Sequence, residues 1–102
     1  MNQAAKTDYS RYLNRMPASV VVLPPLNEST QVAAPDLFLA TITSALAERG
    51  YYVFPVAVVH EMLRENGLPT PGEMHQVPPQ KFREVLGADA VLYITIKQWT
   101  NT

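Results

Sequence analysis

The chain has 102 residues, 47% hydrophobic and 17% charged, with eight basic against nine acidic residues and a formal charge of −1. That describes one globular domain with a small core, and so even a balance argues against nucleic acid, which needs a basic stripe. The absence of cysteine excludes disulfides, thiolate zinc sites and a cysteine nucleophile, and no apolar run approaches the ~18 residues of a membrane-spanning helix.

Residues 1–17 read as a polar arm carrying Tyr9, Tyr12 and Leu13, with Lys6, Arg11 and Arg15 outnumbering Asp8. Their polarity is not that of a signal peptide. The domain proper is expected over 18–102. Ser19-Val20-Val21-Val22-Leu23 is a β-branched run stopped by Pro24-Pro25, hence a short buried strand. Leu26 to Ala34 reads as a long polar loop. Pro35 suits the first turn of a helix, and Leu37, Phe38, Ile42, Ala45 and Leu46 fall on the face expected to pack on the sheet, before Arg49-Gly50 ends it. Tyr51-Tyr52-Val53-Phe54 is a second strand. Pro55 opens a second helix through Val56, Val59 and Leu63, closed by Asn66-Gly67. Thr70-Pro71-Gly72-Glu73 matches a capping box, which places a short helical turn over 73–76. Pro78-Pro79 begins a helix with Phe82, Val85 and Leu86 on its apolar face and Gly87 as its cap. Val91 to Ile96 then forms a strand apolar on both faces, which belongs in a covered sheet.

Strands alternating with helices give a three-layer α/β fold: a short, mostly parallel sheet in the order 2-1-3 with helices on both faces. The third strand is then an edge too apolar to be left open. The sheet is therefore expected to continue beyond Thr102, in a further half of the protein.

The residues permit little catalysis. His60-Glu61 starts like the helical zinc signature, but Arg64 stands where the second histidine must lie, and His75 sits alone in a turn. Neither a metal nor a cofactor is expected. The glycines stand singly, so no phosphate loop forms, and no serine lies in a glycine-flanked elbow. In an open α/β sheet the ligand crevice lies beyond the carboxyl ends of the strands. Here that places Asn27, Glu28 and Ser29, with Thr30, at the candidate crevice. Asn27 and Ser29 equally suit the shaping of a loop. Asp89, between a helix cap and a strand, is expected to accept backbone hydrogen bonds. Tyr93, Ile94, Ile96 and Trp99 are the candidate interface, with Trp99 expected to be exposed.

Three segments, Ser19 to Ser29, Leu46 to Val59 and Phe82 to Ile96, resemble a family of bacterial outer-membrane lipoproteins of unknown function. Its members are similar to the curli-secretion lipoprotein and to the N-terminal domain of TolB. The most specific part is Tyr51-Tyr52-Val53-Phe54-Pro55-Val56-Ala57-Val58-Val59. The resemblance implies a TolB N-terminal-like fold facing the periplasm, a lipidated cysteine upstream of Met1 as the only link to the membrane, and a β-rich half past Thr102. It supplies no catalytic residue. The expected function is a non-enzymatic domain making protein–protein contacts, with envelope proteins or as a homodimer, in envelope assembly, transport or secretion. The alternative is a small-molecule-binding or hydrolytic domain that uses the crevice.

Overall fold

The computed structural model describes residues 19–100; the arm read over 1–17 lies outside the described residues. Strand β1 (Ser19–Val22) is central in a three-stranded parallel sheet, flanked by β3 (Tyr52–Val53) and β4 (Ala90–Leu92). This is the order expected from two successive crossovers. Helix α1 (Ala34–Glu48) connects β1 to β3, and α2 (Val56–Glu65), α3 (Pro71–Met74) and α4 (Pro79–Leu86) connect β3 to β4. The first crossover runs from β1 out to β3, and the second runs the opposite way, from β3 back across β1 to β4. Right-handed connections therefore set α1 on one face and α2 to α4 on the other.

Alternation along β1 sends Val21 and Leu23 to the α2–α4 face and Val20 and Val22 to the opposite one. Val21 and Leu23 pack with Val59, Leu63, Met74, Phe82 and Ala88, and Leu23 and Met74 are fully enclosed. Each large side chain in this cluster contributes about 1.5–3 kcal/mol of burial. The caps follow the local sequence. Thr70 Oγ1 accepts from the Glu73 N–H while Glu73 Oε1 accepts from the Thr70 N–H, each at 3.3 Å. Gly87 ends α4 with φ +73°, a conformation that a side chain would strain.

Several expectations need correction. The segment after Pro25 is not all loop: Leu26–Asn27 forms β2, paired in parallel with β5 (Thr95–Ile96) in a separate two-stranded sheet. The expected strand Val91–Ile96 is accordingly two strands, interrupted at Tyr93–Ile94. Pro24 and Pro25, both buried, carry no N–H for the ladder. Leu23 N–H still donates to Leu92 O (3.3 Å), and the next donor is Leu26, to Ile94 O at 2.9 Å. The register slips by one residue between Val22↔Leu92 and Leu26↔Thr95, so the prolines form a bulge. Val91 and Leu92 are half-buried rather than enclosed, because β4 is an outer strand.

The capped turn covers 71–74 rather than 73–76, since a helix begins directly after its cap. Leu37 (52% exposed) and Val85 (66% exposed) lie off the packed faces, which Phe38, Ile42, Ala45 and Leu46 in α1 and Phe82 and Leu86 in α4 provide. His60 is half-buried. No helix among the described residues is long and apolar enough to cross a membrane.

Candidate functional site

The two short strands β2 and β5 run in parallel, so the loops leaving their carboxyl ends meet side by side. Glu28, Ser29 and Thr30 from one loop and Lys97, Gln98, Trp99 and Thr100 from the other line a cleft of about 310 Å³. This is the crevice position of an open α/β sheet. The structure thus brings together Glu28 and Ser29, read as a crevice, with Trp99, read as part of an interface.

Asn27 is occupied in shaping the loop. Its Oδ1 accepts from the Ser29 N–H (3.1 Å) and Ser29 Oγ (2.6 Å), and its Nδ2 donates to Gln31 O at 2.8 Å. Ser29 Oγ in turn accepts from the Gln31 N–H at 3.2 Å. This is a self-closed Asx turn, and it holds Glu28 and Thr30 at the cleft. Glu28 Oε1 lies 3.2 Å from Lys97 Nζ across the cleft, and both side chains are well exposed. The cleft is therefore polar, charge-balanced and walled by the Trp99 indole, which is half-buried rather than exposed as expected.

The other candidate interface residues occupy different surroundings. The Ile96 side chain is buried, and Ile94 is half-buried. Tyr93, 38% exposed, donates from its hydroxyl to Val77 O at 2.7 Å, and burial raises its phenol above the usual value. Asp89 Oδ2 accepts from the Ser19 N–H (3.0 Å) and Oγ (3.2 Å), tying the starts of β1 and β4 together as expected of a carboxylate placed there.

One constellation escaped the sequence. His75 Nε2 lies 2.8 Å from the Pro24 carbonyl, so that nitrogen must carry the proton and donate. The His75 and Tyr93 rings meet edge to face, with centroids 5.8 Å apart. The segment joining α3 and α4 therefore fastens both interrupted strands, through His75 at the proline bulge and through Val77 at Tyr93. His75 and Pro24 are 51 positions apart, and no local pattern links them.

Over residues 7–102 the chain matches the family model described as "Putative lipoprotein GNA1162-like". It is 43% identical over 99 residues to "Putative lipoprotein NMB1124/NMB1162" of Neisseria meningitidis serogroup B (strain ATCC BAA-335 / MC58), which covers 97% of this chain and 46% of that protein. The chain thus spans about half the length of this curated relative. The crystal structure of lipoprotein GNA1162 from Neisseria meningitidis matches with a TM-score of 0.73 at 45% identity, over 84% of this chain and 60% of that one.

Proposed function

The chain belongs to the GNA1162-like lipoprotein family, and from that premise we propose that it is a non-enzymatic domain on the periplasmic face of the outer membrane. It works through protein–protein contacts in envelope assembly, transport or secretion, and a lipid anchor elsewhere in the protein holds it at the membrane. The observation that carries this reading is the outer edge of β4 and β5. The carbonyls of Leu92, Ile94 and Ile96 accept from Leu23, Leu26 and Glu28, so these residues face inward. Neighbouring residues of a strand face opposite ways, so Val91, Tyr93 and Thr95 direct their N–H and C=O groups to the open side. Among the described residues no strand pairs with that side. Unpaired edge groups beside half-buried Val91 and Leu92 are a template for strand addition by a second copy of this chain.

Thr95→Pro is the discriminating substitution. It removes an outward N–H and leaves the inward ladder intact, whereas Ile94→Pro would break the inner ladder itself. Light scattering over a concentration series is expected to show the wild-type chain self-associating and Thr95→Pro shifted toward monomer. Equal masses for the two at every concentration would contradict the reading. The cleft between Glu28 and Trp99 favours a second reading, in which this end of the sheet holds a small polar molecule.

A further inference from the structure

We infer that the cleft at the carboxyl ends of β2 and β5 is a binding site for one ring of a neutral saccharide; the inference rests on the ligand-binding reading of that cleft. Its chemistry selects by charge first. Glu28 and Lys97 form an ion pair 3.2 Å apart across it. An anion entering the cleft meets the Glu28 carboxylate, and a cation meets the Lys97 ammonium. A neutral molecule rich in hydroxyls meets no such repulsion, and it finds a carboxylate that accepts, an ammonium that donates and a Gln98 amide that does both.

The wall adds shape. Trp99 lines the cleft half-buried, offering a flat apolar surface with one N–H donor, which suits the C–H face of a pyranose and its rim of hydroxyls. Among the described residues no hydrogen bond engages the side chains of Thr30, Gln98 or Trp99, so these groups are uncommitted. The loop beneath is already fixed by the Asn27–Ser29–Gln31 turn, so little ordering is needed when a ligand enters. At about 310 Å³ the cleft sits at the small end of ligand sites, which run from ~300 to ~1,000 Å³. That size takes a single ring.

Trp99 is the only tryptophan of the sequence, so its emission reports on this cleft alone. The test is titration of the 102-residue chain with chitobiose and with maltose, alongside inorganic phosphate and free lysine as charged probes. The expected result is a saturable change in Trp99 emission with at least one of the two saccharides and none with phosphate or lysine. Gln98→Ala is expected to weaken that binding about tenfold, the loss of one hydrogen bond to an uncharged group. Saturation by phosphate or lysine but by neither saccharide would overturn the saccharide inference and leave ligand binding standing. No saturation by any of the four probes would overturn both.

Discussion

Replacing His75 with alanine removes the one side chain among the described residues that reaches the carbonyl left outside the ladder by the Pro24–Pro25 bulge. Pro24 is buried, and a buried carbonyl stripped of its donor costs about 1–3 kcal/mol. Loss of the edge-to-face contact with Tyr93 adds about 0.5–1.5 kcal/mol. His75 is half-buried, so water can enter the vacated space and recover part of this. A net loss of about 1–2 kcal/mol is expected. In a domain of this size each kcal/mol moves Tm by roughly 4–8 °C. The assay is urea denaturation, in which His75→Ala should lower the midpoint without changing the slope. His75→Gln, which keeps an N–H donor at similar reach, should recover at least half of the loss. Equal stability of His75→Ala and the wild type would refute this account of the bulge. Equal loss in the Gln and Ala variants would assign the effect to ring packing instead.

Tyr93→Phe should cost about 0.5–1.5 kcal/mol at neutral pH through the lost bond to Val77. Because burial raises the Tyr93 phenol in the folded state, its contribution is fully present below the unfolded pKa of about 10 and fades as pH rises through the higher folded value. Alkaline denaturation should therefore separate the wild type from Tyr93→Phe near neutrality and bring the two together at high pH. Asp89→Ala deletes both bonds to Ser19; since the site is exposed, the expected loss is near the low end for a charged acceptor, about 1.5 kcal/mol, read by the same urea titration.

The parts of the fold legible in the sequence are those that neighbouring residues decide. The valine run of β1, the Thr70–Glu73 box and the Gly87 cap each carry their own chemistry, and strand order follows from the alternation of elements. What was not legible depends on residues far apart. The bulge needs the register of β1 and β2 against β4 and β5, which the prolines mark but do not specify. Leu37 and Val85 have helical spacing, yet the shape of the sheet decides which flank of an apolar stripe is covered. At the cleft, Glu28 and Ser29 could be placed because the crevice position follows from topology. Their meeting with Lys97 and Trp99 requires β2 to pair with β5, a strand pair that the polar stretch Leu26 to Ala34 does not signal.

The central claim is that the outer edge of β4 and β5 pairs with another strand, and amide hydrogen exchange at Val91, Tyr93 and Thr95 tests it most directly. The inward amides of Leu92 and Ile96 belong to the ladder and should be protected at every protein concentration. The account predicts that the three outward amides exchange rapidly in dilute solution and become protected as concentration rises. Rapid exchange of all three at every concentration, with Leu92 and Ile96 still protected, would contradict it.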